Sequence, residues 1–156
     1  MSSLFWSNEF DGDISDWDVS NVKDMNNMFN YSAFNGDISR WNVSNVKNMF
    51  RMFIHAKKFN SDISNWDVSN VENMSSMFIG SKFGGVLNNW NPEKATNMTS
   101  MFYDSNSIHK NNPPVWYEKW RNESKNNNRL KESFDFDSIN TTKKAVNIYS
   151  IIFDIL

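Results

Sequence analysis

"DISDWDVSNVKDMNNMF" runs from Asp13 to Phe29, "DISRWNVSNVKNMFRMF" from Asp37 to Phe53, and "DISNWDVSNVENMSSMF" from Asp62 to Phe78. Ile, Trp, Val, Met and Phe persist in register while the letters between them drift. Extended upstream, the copies share a phenylalanine at Phe10, Phe34, Phe59 and Phe83, and a tryptophan at Trp17, Trp41, Trp66 and Trp90. The spacing alternates between 24 and 25 residues, the length of one coil in a repeat protein whose units bury their apolar edge only by stacking on one another. A fourth copy, Phe83 to Phe102, keeps Trp90, Met98, Met101 and Phe102, but has "VLN" for "DIS" and Pro92 and Ala95 where valines stood. A fifth survives as Ile108 and Trp116.

Trp17 and Val19 stand two apart, the spacing of one face of a strand. Val22, Met25, Met28 and Phe29 then follow at the spacing of one face of a short helix or 3₁₀ turn, with Ser20 placed to cap it. One coil is therefore expected to be a short strand, a turn, a short helix and a return. The expected fold is an α/β repeat, a short right-handed leucine-rich-like solenoid of about four coils, roughly 20 Å tall at the usual strand spacing of about 4.8 Å. Its expected extent is residues 1–107, with a half coil at 1–9 and coils from 10, 34, 59 and 83. "MSSLF" at Met1–Phe5 aligns with "MSSMF" at Met74–Phe78, so the chain as given starts inside a repeat. Residues 108–156 are expected to be a C-terminal cap or interaction tail. Pro114 marks a helix start, with Val115, Trp116 and Trp120 on one side. "NESKNNNRLKES" reads as loop, and the tail from Thr141 as a segment lying on the last coil.

The repeat resembles the BspA-like surface-protein repeat, a leucine-rich-repeat-like family of mycoplasma lipoproteins, bacterial surface adhesins and proteins of large DNA viruses. The resemblance runs from Met1 to about Phe102. It implies a non-enzymatic solenoid used for adhesion or protein–protein contact. The chain lacks the signal sequence and lipobox cysteine of the surface-attached members, so a cytoplasmic or virion-associated location is expected ahead of secretion.

The 156 residues carry a net charge of -2 with no cysteine. Charges of both signs are interspersed, which gives no footprint for nucleic acid or an anionic membrane. Thiolate chemistry and disulfides are excluded. The longest apolar stretch, "AVNIYSIIFDIL", is about half the roughly 20 residues of a spanning helix. His55 and His109 fall in different copies and neither belongs to a triad or zinc motif. No enzyme activity, cofactor or metal is expected.

The aspartates Asp13, Asp37 and Asp62 recur one coil apart. They read as turn acceptors rather than calcium ligands, and Asn21, Asn45 and Asn70 as a turn-stabilising ladder. The Trp column reads as core, with Trp6, Trp116 and Trp120 off it and exposed. Candidate protein-contact residues are the solvent-facing letters that change between copies, Asp16, Asp18, Arg40, Asn42, Asn65 and Asp67. A candidate end interface comprises Met1, Leu4, Phe5 and Trp6 at one end and Ile151, Ile152 and Phe153 at the other. A protein partner, or self-association through the solenoid ends, is the expected interaction. The alternatives are a structural component of an assembly such as a virion, or glycan binding through Trp6, Tyr31, Trp116 or Trp120.

Overall fold

A computed structural model of the protein describes residues 1–105, 109 and 111–126. The α/β solenoid expected from the spacing is not what forms. The described residues contain one α-helix, Val115–Asn126 (α1), and no extended strand. Parallel pairing is confined to the isolated bridges Asp24–Asn48, Asn48–Asn73 and Asn73–Asn97. The coils do stack, but each is a succession of tight turns.

Asp and Ser explain why the presumed strand does not form. The Asp13 carboxylate accepts the Ser15 N–H at 2.9 Å and Asp18 accepts the Ser20 N–H at 2.9 Å. These Asx turns take backbone donors that a sheet would need. Between them Trp17 N–H closes a turn on the Ile14 carbonyl, and Val22 N–H one on Val19. A third corner follows at Asp24, which accepts the Asn26 N–H at 2.8 Å. The same three corners recur at Asp37, Asn42 and Asn48, and at Asp62, Asp67 and Asn73. Ser20, expected to cap a helix, is itself the bonded residue of a corner.

The Met-x-x-Met-Phe segment fails to be helical for a different reason. One residue in it and one two places past its Phe take left-handed backbone angles, with φ between 50° and 59° in every copy: Ser3, Asn27, Arg51, Ser76 and Ser100, then Ser7, Tyr31, His55, Gly80 and Asp104. An α-helix has no place for them. Each is the third residue of a turn such as Met25–Met28, where a positive φ belongs. Nine of the ten are not glycine, at a cost of about 1–2 kcal/mol each. The compensation is a hydrogen bond across coils. Ser3, Ser7, Asn27, Tyr31, Arg51, His55, Ser76 and Gly80 each donate their N–H to a carbonyl of the next coil, at 2.7 to 3.2 Å. The alternate N–H groups close turns inside their own coil, as Met28 does on Met25.

Turns that replace helix and strand still send the repeated residues inward, because the three- and two-residue spacings are kept. Ile38, Val46, Met49, Met52 and Phe53 are wholly buried, as are their counterparts in the following copy. The phenylalanines form two ladders side by side. Phe5, Phe29, Phe53, Phe78 and Phe102 stack at centroid separations of 5.4 to 5.7 Å. Phe10, Phe34, Phe59 and Phe83 stand beside them at 3.9 to 4.8 Å. Burial of each such ring stabilises by about 1.5–3 kcal/mol. The tryptophans add a polar rung. Trp41, Trp66 and Trp90 donate their indole N–H to Ile14, Ile38 and Ile63 of the preceding coil, at 3.0, 3.1 and 2.9 Å.

The 25-residue copy has its extra residue in the return after the second left-handed position, where "IHAKK" (54–58) replaces "NYSA" (30–33). There Ala56 stands where Ser32 supplied the corner hydroxyl, and the Lys57 ammonium donates to the Gly80 carbonyl.

The described residues after the fourth copy, 109 and 111–126, continue the ladders. His109 stacks on Phe83 and Phe102 at 5.7 and 4.9 Å. Trp116 stacks on Trp90 and donates to Leu87 at 2.8 Å, while Tyr117 meets Phe102 edge-on. Helix α1 starts directly after Pro114, as expected. Its packed side is Trp116, Tyr117 and Trp120, however, and Val115 is 81% exposed. It also runs through Asn122–Asn126, read from sequence as loop. The expected exposure of Trp116 and Trp120 is corrected too, since both lie partly buried against the core. Ile108, the later residues of the polar stretch and the tail from Thr141 lie outside the described residues.

Two outcomes follow for stability. At Gly80, φ is 59° and a Cβ would sit 2.3 Å from Nδ1 of His55, one coil below. Gly80→Ala is expected to destabilise by more than the roughly 1–2 kcal/mol of a left-handed alanine. The excess is expected to vanish in the His55→Ala background, as a double-mutant cycle of urea denaturation reads directly. Equal costs in both backgrounds would refute the contact.

The second concerns pH. Burial holds the His109 imidazole below its ordinary value of 6.5, against an opposing hydrogen bond to the Gly85 backbone. Burial, then Lys57, does the same to His55, with Asp104 opposing. A base with a lowered folded pKa exacts no penalty above its unfolded value and an increasing one as pH falls below about 6.5. Stability is expected to drop between about pH 7.5 and pH 5, and His109→Phe to flatten part of that drop. The Phe variant loses no bond at Nε2, which has no partner. Urea midpoints at the two pH values check it, and an unchanged pH slope in the variant would count against it.

Candidate protein-contact site

The outward columns are the second-corner acceptors themselves and the residues that follow the first corner's serine, while the residue after each acceptor points inward. Asp16, Asp18, Arg40, Asn42, Asn65 and Asp67 are all exposed, on three successive coils. Arg40 pairs with Asp16 at 3.1 Å, with side chains 70% and 89% exposed, a geometry worth little to stability. Asp18, Asn42 and Asp67 are each engaged in their own corner, accepting from Ser20, Ser44 and Ser69. Asn65 sets no corner and lies beside the buried Trp66.

The aspartate column behaves as turn chemistry. The Ser15, Ser39 and Ser64 backbone N–H groups, then their hydroxyls, hold Asp13, Asp37 and Asp62 below the ordinary carboxylate value. At Asp18 and Asp67 the serine hydroxyl leads and the backbone N–H follows. No group of three or more His, Asp or Glu side chains fit to hold a metal ion occurs among the described residues. Asn45 and Asn70 donate to the Ser20 and Ser44 carbonyls one coil back, at 2.8 and 2.9 Å, so that column is a ladder.

A second ladder went unread in the sequence. Asp11, Asn35 and Asn60 accept the N–H groups of Asn35, Asn60 and Gly84 on the coil above, at 2.7 to 2.9 Å. The D/N/N column two residues before Asp13, Asp37 and Asp62 was its signal.

The end of the stack is chemically unlike its sides. Leu4 is 49% exposed, Trp6 47% and Trp17 41%. Phe5 lies under the surface at 8%, stacked on Phe10 and Phe29. Met1 packs partly buried against the core, and its ammonium donates to the Asp24 carbonyl at 2.9 Å. Trp17, assigned to the core by its column, is the correction here. Its indole meets Phe5 at 5.8 Å, and no described residue accepts its N–H as Ile14, Ile38 and Ile63 accept those of the later tryptophans. A column position predicts burial only when a coil lies on both sides. Asp16 and Asp18 flank Trp17, giving an apolar centre with a charged edge. Ile151, Ile152 and Phe153 lie outside the described residues.

The histidines do not meet. His55 stacks on Tyr31 at 4.6 Å, while His109 sits in the cap. The aromatics considered for sugars are likewise divided, with Trp6 and Tyr31 toward the first coil and Trp116 and Trp120 at the other end. No helix among the described residues is long and apolar enough to cross a membrane.

No curated protein and no solved structure matches the chain. A family model does match, over residues 1–120, which takes in every coil described above and the start of α1. By that match the chain belongs to the family described as Mycoplasma protein of unknown function, DUF285.

Proposed function

We propose that this chain is a non-enzymatic protein-contact module whose principal contact surface is the first-coil end. The observation that carries the reading is the placement of exposed apolar side chains. Leu4, Trp6, Trp17 and Tyr31 belong to the half coil and first coil, whereas the remaining stack exposes only Val86 and α1 only Val115. An apolar patch rimmed by charge, here Asp16 and Asp18, is the usual composition of a protein interface, and exposed tryptophan is the residue type most often dominant in one. The outward letters Arg40, Asn42, Asn65 and Asp67 continue that rim along the side of the stack. The resemblance of the repeat to BspA-like surface-protein repeats supports contact rather than catalysis.

A structural role in a larger assembly is the second reading, favoured by the same end, because a stack of identical coils ends on a surface built to receive another. The test is a photo-crosslinking amino acid at position 4, compared with one at the exposed Lys58 position. Exposure of the full chain to extract of its native source is expected to give a discrete heavier adduct from position 4 only. Trp17→Lys is expected to lower its yield by at least tenfold, about 1.4 kcal/mol of binding, with the thermal melt unchanged. Equal adducts from both positions would sink the reading.

A further inference from the structure

We infer that the first-coil end of one copy stacks on the last coil of a second copy, taking the place of the α1 cap. This rests on the contact reading above and names its occupant. Three features lead to it.

The backbone edges are complementary. On the Met-x-x-Met-Phe side, each coil donates N–H groups to carbonyls of the coil above. The carbonyls of Ser2, Leu4 and Trp6, in the columns of Asn26, Met28 and Asn30, receive no bond from the described residues. The N–H groups of Ser100, Phe102 and Asp104 find no acceptor among the described residues. One end is a row of acceptors and the other a row of donors, at matching column positions.

The Trp side is complementary in the opposite direction. Trp41, Trp66 and Trp90 each donate one coil down, and Trp17 has no such acceptor among the described residues. The carbonyl it would meet on a second copy is that of Leu87, the fourth-coil member of the Ile14, Ile38 and Ile63 column. That carbonyl is held by Trp116.

The cap imitates a coil with fewer contacts. Trp116 takes the place of the next tryptophan and His109 the place of the next phenylalanine. Among the described residues it supplies no carbonyl to the Ser100, Phe102 and Asp104 N–H groups, and its sequence has no Met-x-x-Met-Phe segment. In the stacked pair, Trp17, Phe10 and Phe5 of one copy replace Trp116, His109 and Tyr117 of the other, and the cross-coil bonds run on through the junction. Because donors meet acceptors only head to tail, the association is open and repeats along one axis.

The chain has no cysteine, so engineered thiols report only the intended contact. Ser2 belongs to the column of Asn26, Phe50, Ser75 and Thr99, so stacking places Ser2 of one copy on Thr99 of the other. Coils about 4.8 Å apart fall within the Cα separations that a disulfide spans, about 4.4–6.8 Å. Full-length Ser2→Cys chains are mixed with Thr99→Cys chains under mild oxidation. Mixed dimers are expected well above either homodimer, several-fold faster with Trp116→Ala, and lost with Trp17→Lys. Ser2→Cys paired with Asn42→Cys is expected to give background only.

No mixed dimer in either cap state would overturn the inference. So would Ser2→Cys homodimers in excess, or a yield indifferent to Trp17→Lys. Should Trp116→Ala fail to melt cooperatively, the Trp17→Lys comparison on the intact cap decides alone. A position-4 adduct with another protein, without mixed dimers, would leave the contact reading standing and remove only the second copy as its occupant.

Discussion

The division of backbone N–H groups between two destinations governs this structure. In each Met-x-x-Met-Phe segment, alternate donors close a turn within the coil and the others reach the coil above. That division requires two left-handed residues per coil, at positions filled by Ser, Asn, Arg, Tyr and His as well as Gly. A cross-coil bond offsets eight of the ten such conformations among the described residues, and outside the stack nothing does. The coil and the stack are therefore one cooperative object, since an isolated copy would keep the backbone cost and lose the bonds that balance it.

Side chains complete what the backbone leaves open. Most corners are an Asp, Asn or Ser accepting an N–H two residues on, and several of the same residues reach the neighbouring coil. The core thus has phenyl ladders, with tryptophan rungs bonded to the preceding coil. Its edges are ladders of amide and carboxylate. Little in the described coils depends on ion pairs. The two salt bridges, Arg40–Asp16 and Lys47–Glu72, lie in solvent.

Much of this was legible in the letters. The repeat, its register, the inward columns and the roles of Asp13 and Asn45 follow from spacing and from turn chemistry. The secondary structure did not follow, because three-residue spacing between methionines is shared by a helix and by a chain of turns. Apolar periodicity alone cannot separate them. The deciding signal was present in D-x-S, D-x-S and N-M-x, a succession of turn-forming frames of three residues each, which contradict both strand and helix. Trp17 was misplaced for a separate reason. A column describes the average coil, and the first coil is not average. Leu4 and Trp6 were singled out through the alignment of "MSSLF" with "MSSMF". The cap was half legible, through Pro114, while His109 as a substitute phenylalanine gave no sign in its spacing.

The extra residue of the 25-residue copy shows where this architecture accepts change. It sits in the return at 54–58, before Phe59, where the cross-coil backbone bonds are those of Ile54, which accepts from Tyr31, and His55, which donates to Ile79. The ladders on either side keep their order across it, with Phe53 and Phe59 simply drawn closer, to 3.9 Å. Length variation is thus absorbed in one corner of the perimeter, leaving the stacked columns in phase. That corner is the natural hinge point for evolving or grafting longer loops onto the coil, each emerging from the same edge of the molecule.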